Sequence, residues 1–256
     1  MAASPSASLP TSPPFSPPFS TPSETLSLLR EQGYAVLSPS GVSEWLGEPL
    51  AMLEALREDW SNLPPDEYLK DGGRYRQRRH ASFVVDADSV RLVAQRAHWQ
   101  PVEYNALHGG MQRWFKPMLA GTVAQPAWTH LMRGLAGLAS GLRGDRRWFV
   151  EAHQFRIDTA GGIGRPTPEG AHRDGVDLVA VAFVGRHNIK GGETRVFEAN
   201  GRRGERFTMT EPWSLLLLDD ARVIHESTPI QPIDETAPGF RDTLVVTCRA
   251  HGFQGG

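Results

Sequence analysis

The chain has 256 residues, 39% of them hydrophobic and 22% charged, and a net charge of −2. That length and apolar content suit one large domain with a sizeable core. The balanced charge argues against a nucleic-acid or anionic-membrane footprint, and Arg pairs such as Arg78-Arg79 and Arg202-Arg203 read as solvated surface. No apolar run approaches bilayer-spanning length, and the single cysteine, Cys248, excludes an intrachain disulfide or a multi-cysteine zinc site. Cys248 sits in an apolar run and reads as a buried, inert thiol. The start of the chain lacks the basic and apolar regions of a secretory signal, so a cytoplasmic protein is expected.

Residues 1–23 are rich in Pro and Ser and read as a disordered tail that cannot bury enough to offset its ordering entropy. The rest, residues 24–256, reads as one domain, with a helical part over 24–147 and a β core over 148–250. Ser23 opens a capped helix that Gly33 stops, and Tyr34–Leu37 is a short strand. Ser43 caps a second helix reaching to about Trp60, with Trp45, Leu46, Leu50, Leu53 and Leu56 at helical spacing. Asp71-Gly72-Gly73 turns the chain into a donor-rich stretch, Arg74 to Val85, whose second half is strand-like. Trp128 to Leu142 is a helix with Leu131, Leu135 and Leu138 on one face.

From Trp148 the pattern becomes β. Trp148–Ile157 is a long strand, followed by a Gly/Pro-rich loop over 159–171. Leu178–Val184 is continuously apolar, as a strand buried on both faces is. Thr194–Phe197, a hairpin at Asn200-Gly201, Leu215–Leu218, a turn at Asp219-Asp220 and a last strand Asp242–Cys248 complete the order. Helices followed by at least six strands indicate an α+β fold, with a jelly-roll or barrel core and the helices outside. No Gly-x-Gly-x-x-Gly, Walker loop or Gly-x-Ser-x-Gly elbow is present.

His172 and Asp174 stand two apart at the entry of a strand, hence on one side. His225 follows the turn after Leu215–Leu218. Two imidazoles and one carboxylate are the donor set that holds non-haem Fe(II) on one face and leaves other positions open. Arg241 and Thr243 share a face of the last strand, and an Arg with a hydroxyl neighbour suits a dicarboxylate co-substrate.

Taken together, His172-x-Asp174, Gly191-Gly192-Glu193-Thr194, His225 and Arg241-Asp242-Thr243-Leu244 resemble the Fe(II)/2-oxoglutarate-dependent dioxygenases. His153–Ile157 and the stretch Tyr104-Asn105 through Gly109-Gly110 to Arg113-Trp114-Phe115 resemble the bacterial branch that hydroxylates free amino acids, the isoleucine dioxygenase-like enzymes. The resemblance spans residues 74 to 250. It implies a double-stranded β-helix core, with Fe(II) on His172, Asp174 and His225 and 2-oxoglutarate on Arg241 and Thr243. O2 is the oxidant. The implied reaction hydroxylates an unactivated C–H of a free amino acid or similar small molecule and yields succinate and CO2. Gln154 and Arg156, with Tyr75, Arg76 and Asn105 behind them, are the candidate substrate contacts. His153, on the opposite face from Gln154, reads as a core histidine. Two alternatives remain: a peptide or protein hydroxylase, and a cupin-like barrel that binds metal or a small ligand without turnover. The second requires Arg241 to point away from the metal.

Overall fold

A computed structural model describes residues 15–255. The disordered stretch expected at the start lies outside these as far as residue 14. Residues 15–23, expected to belong to it, are instead built into the fold. Strand β1 (Phe19–Ser20) pairs in parallel with β2 (Tyr34–Leu37). The Phe15 carbonyl accepts from the Thr208 amide, and Arg206 covers the Phe15 ring at 4.1 Å. An open sheet edge with unpaired backbone groups gives this Pro/Ser stretch the partner that its composition does not supply.

The next elements are α1 (Thr25–Gln32), α2 (Pro39–Leu46), α3 (Leu50–Glu54), β3 (Arg76–Val85), β4 (Val90–Leu92), α4 (Ala120–Val123) and α5 (Pro126–Arg143). The second expected helix is therefore broken. Ser38, not Ser43, caps α2 by accepting from the Gly41 amide. Gly47 then takes a left-handed φ of 66°, Pro49 restarts the helix as α3, and Arg57–Asn62 is a 3-10 turn. The apolar spacing is helical throughout, but Gly and Pro decide where the helix ends. Helix α5 matches its expected span closely. Pro126 begins it, and Trp128, Leu131, Met132, Leu135 and Ala139 form its buried stripe.

Strands β5 (Trp148–Asp158), β6 (Leu178–His187), β7 (Ile189–Gly191), β8 (Thr194–Glu198), β9 (Gly204–Phe207), β10 (Leu215–Leu218), β11 (Val223–Ser227), β12 (Ile230–Pro232) and β13 (Phe240–Arg249) follow. Eight strands form one sheet in the order β1-β2-β10-β6-β13-β5-β3-β4, antiparallel except for β1 against β2. Opposite it lie β11-β8-β9 and the pair β12-β7. This is the mixed α+β, double-stranded β-helix arrangement expected from the sequence. Residues 24–147 are less purely helical than expected, because β2, β3 and β4 join the large sheet.

The large sheet has two buried faces, which explains the unbroken apolar run of β6. Leu178, Ala180, Ala182 and Val184 pack with Trp128, Leu135, Leu244 and Val246 on the helix side. Val179 and Phe183 pack with Val196, Phe207 and Leu218 towards the small sheet. Each such buried Leu, Val or Phe contributes about 1.5–3 kcal/mol. Among the described residues, no helix is long and apolar enough to cross a membrane.

Candidate active site

The space between the two sheets is a cavity, and its walls are set by strand parity. On β13, Leu244, Val246 and Cys248 face the helices, while Arg241, Thr243, Val245 and Thr247 line the cavity. Direct register pairs these four with Ile157, Phe155, His153 and Glu151 of β5. On β3, Arg76 and Arg78 continue the same wall.

His172, Asp174 and His225 meet at one end. Reciprocal backbone hydrogen bonds between His172 and His225, at 3.0 and 2.9 Å, tie the loop before β6 to strand β11. The ligand atoms of all three residues lie within 4.8 Å of one another. His172 Nε2 is 3.9 Å from Asp174 Oδ1, and His225 Nε2 is 3.8 Å from Asp174 Oδ2. His172 Nδ1 lies 3.0 Å from the Gly170 carbonyl; donation there leaves the Nε2 lone pair directed at the group, the tautomer a metal ligand needs.

Burial would lower the His172 pKa, but Asp174 and Glu169 outweigh it and raise it; His225 is lowered by burial and by His172. Two imidazoles and a carboxylate converging on one point fit a divalent cation.

The loop carrying Asp174 is fixed from outside. The Asp220 carboxylate accepts from the backbone amides of Asp174, Gly175 and Val176 at 3.0, 2.7 and 3.2 Å. Burial first, then Asp174, push its pKa up to about 6. Gly175 has a φ of 74°, and the Tyr104 ring lies 2.4 Å from where a Cβ would stand, so no larger residue fits this turn. The turn read at Asp219-Asp220 thus also anchors the His-x-Asp loop.

Arg241 is 4% exposed and lines the same cavity as the triad. Its guanidinium has no hydrogen-bond or ion-pair partner among the described residues and lies 5.9 Å from the Phe183 ring centre. Burial, then the like charge of Arg186, lower its pKa to about 10. Asp242 opposes that shift without reaching ion-pair distance, and a buried guanidinium free to face a cavity suits an anion. Gly192, at a left-handed φ of 72°, packs beside it.

Two of the five expected substrate contacts, Arg76 and Asn105, line the cavity. Three do not. Gln154 lies opposite Leu244 in register, on the helix side, and is fully buried. Arg156 turns the same way and closes a bidentate pair with Asp242 at 2.8 and 2.7 Å. Tyr75 packs on Ile157, Ile189 and Ile230 and donates its hydroxyl to Asp71. The correction is one of register: the cavity face of β5 is the odd-numbered one. His153, expected in the core, therefore stands in the cavity wall.

Other wall residues are not assigned by the sequence reading. Gln100 Nε2 donates to Asp174 Oδ1 at 3.0 Å, and its Oε1 accepts from Asn105 and Arg113 at 3.1 and 2.9 Å. Arg78, expected at the surface, is 3% exposed and lies between the Phe115 and Phe155 rings, at 3.6 and 4.3 Å. Glu151 accepts from His80, His98 and Arg96 at 3.1, 3.3 and 3.1 Å. His80, His98 and His153 are all held neutral, chiefly by burial. The polar alternation along β3 and β5 is the available signal; it mimics an exposed strand because the cavity is itself polar.

The 2OG-Fe dioxygenase family model matches residues 57–247. A solved bsmA homolog from Methylobium petroleophilum PM1 is 51% identical, over 93% of this chain and 96% of that one, with a TM-score of 0.87. The fold is also shared with IDO from Bacillus thuringiensis, at 18% identity, TM-score 0.73 and coverage of 90% and 99%. It is shared too with the Fe(II)/(alpha)ketoglutarate-dependent dioxygenase TqaL, at 21% identity, TM-score 0.69 and coverage of 92% and 88%. No curated protein sequence matches the chain. Enzymes of the matched family use Fe(II), 2-oxoglutarate and O2, and the His-x-Asp…His group stands where such chemistry needs it. The chain belongs to the 2OG-Fe dioxygenase family.

Proposed function

We propose that the protein hydroxylates an unactivated C–H of a free amino acid or comparable small molecule. His172, Asp174 and His225 hold Fe(II) in this reading. Arg241, with the Thr243 hydroxyl beside it, grips the distal carboxylate of 2-oxoglutarate. The observation that carries it is the unpaired, buried Arg241 guanidinium in the same cavity as the triad. When bound, the metal and co-substrate supply the oxidising chemistry: 2-oxoglutarate and O2 give succinate and CO2, with one oxygen atom left for the substrate.

The chain's own part is to orient and to exclude water. His172 keeps its Nε2 lone pair available by donating Nδ1–H to Gly170. Gln100 holds the Asp174 carboxylate. Val176, Val181 and Val245 give the cavity dry surface, and Phe155 separates the co-substrate end from Arg78. The enclosed wall, with Arg76, Arg78, His98 and Arg113 each under 9% exposed, suits a small molecule better than a peptide.

Anaerobic addition of Fe(II) and 2-oxoglutarate should give a weak visible charge-transfer band. It should vanish in His172→Ala, and Arg241→Ala should need at least tenfold more 2-oxoglutarate to reach it. An unchanged band in either variant removes that residue from the site. An amino-acid panel read by succinate release tests the substrate class.

A further inference from the structure

Glu169 stands beside the metal group without belonging to it. Its side chain lines the cavity, is 10% exposed, and puts Oε1 3.7 Å from His172 Nε2. The ligand atoms that all lie within 4.8 Å of one another are those of His172, Asp174 and His225, so Glu169 falls outside the set. A fourth protein ligand would also close one of the positions that 2-oxoglutarate and O2 need. Glu169 Oε2 is buried with no hydrogen-bond partner, and among the described residues His172 is the one ion-pair neighbour of this carboxylate. With Nδ1–H donated to Gly170 and Nε2 turned to the metal, His172 offers Glu169 no proton. A buried carboxylate is costly to leave unanswered.

Arg113 faces the same space. It is 2% exposed, gives one N–H to Gln100 at 2.9 Å, and keeps Nε buried without a partner. Asp66, Glu169 and Glu151 all act on its charge, but none of them reaches ion-pair distance. Arg76 spends Nε on Asp66 at 2.7 Å and keeps Nη2 without a partner. Arg78 is already committed to Asp66 and His153. One cavity therefore holds a carboxylate in need of donors and two guanidiniums with donors to give. Glu169 and Arg113 are near enough to feel each other and too far apart to pair. An α-amino carboxylate carries the complementary cation and anion one carbon apart.

Resting on the oxygenase reading above, we infer that Glu169 takes the free α-ammonium of the substrate while Arg113, with Arg76 Nη2, takes its carboxylate. Glu169 thereby sets specificity, because it demands an unsubstituted amine. Acylation removes the positive charge and two of the three N–H donors, and it fills the space between the substrate nitrogen and Glu169. A 2-hydroxy acid offers one neutral O–H, a weaker partner for a carboxylate than a charged donor.

The test is calorimetry on the full chain loaded with Mn(II) and saturating 2-oxoglutarate, against the protein L-amino acids one by one. At least one should bind. The tightest is then compared with its N-acetyl derivative, its 2-hydroxy acid and its decarboxylated amine, each of which should bind at least about tenfold more weakly. Glu169→Gln should weaken the amino acid by at least about tenfold, abolish its advantage over the hydroxy acid, and leave Mn(II) affinity intact. Arg113→Gln should abolish the advantage over the decarboxylated amine. The inference is overturned if no amino acid binds, if any of the analogues binds as tightly as the amino acid, or if either variant binds the amino acid as wild type does. It is also overturned if Glu169→Gln loses Mn(II) as His172→Ala does, which makes Glu169 a metal ligand. The Fe(II)/2-oxoglutarate band of the same wild-type preparation reports separately. A band without amino-acid binding sinks the head-group site alone, and no band sinks the oxygenase reading with it.

Discussion

Gln100 donates to Asp174 Oδ1 at 3.0 Å while Asn105 and Arg113 donate to the other end of its amide. The candidate metal carboxylate is thereby fixed by residues some seventy positions earlier in the chain. Such supporting contacts are typically worth 10–100-fold in metal affinity. Gln100→Leu should accordingly raise the Mn(II) Kd by about tenfold or more, with a smaller rise in Asn105→Ala, which reaches Asp174 through Gln100. Titration followed by electron paramagnetic resonance checks this, and an unchanged Kd in Gln100→Leu would sink the positioning role.

Arg156 offers the converse case. It faces the helices and neutralises Asp242, a carboxylate whose side chain is 4% exposed. Removing one partner of a largely buried pair leaves the other charge stranded. Arg156→Ala should lower stability by about 3 kcal/mol in urea unfolding, with the KM for the substrate changed less than about twofold. A large KM effect with intact stability would return Arg156 to the substrate site.

The buried histidines make stability depend on pH. Burial lowers the His98 pKa from 6.5 to about 4, and His80 and His153 are lowered as well. Between these values the unfolded chain binds protons that the folded cluster refuses. The His98 contribution is thus full above pH 6.5 and falls as the pH drops towards 4, by up to about 1.4 kcal/mol per pH unit, with His80 and His153 acting in the same direction. Glu151, held low by its histidine partners against the effect of burial, adds a further loss below its ordinary value of 4.5. Melting of the metal-free protein between about pH 7.5 and pH 5 should show this decline, and His98→Gln should flatten it. An identical slope in His98→Gln would mean that other groups carry the dependence.

Much of the site can be read from the order of residues. Strand periodicity puts Arg241 with Thr243, because residues two apart on a strand must share a face, whereas His172 and Asp174 converge from the loop before β6. The unbroken apolar run at Leu178–Val184 announces a strand covered on both sides, and Gly33 marks a real helix limit. Local chemistry decides such features, so one sequence suffices. Which face of β5 meets the cavity is different: it depends on the register against β13, and a single-residue change exchanges Gln154 and Arg156 for His153 and Phe155. Likewise Arg78 reads as solvated because its partners, Asp66, Phe115 and Phe155, are not its neighbours in sequence. The sequence alone determined the donor types and, for Arg241 and Thr243, their pairing on a strand. Only the tertiary structure decided which buried charges lack a counter-charge, because that balance is a sum over neighbours brought together by folding.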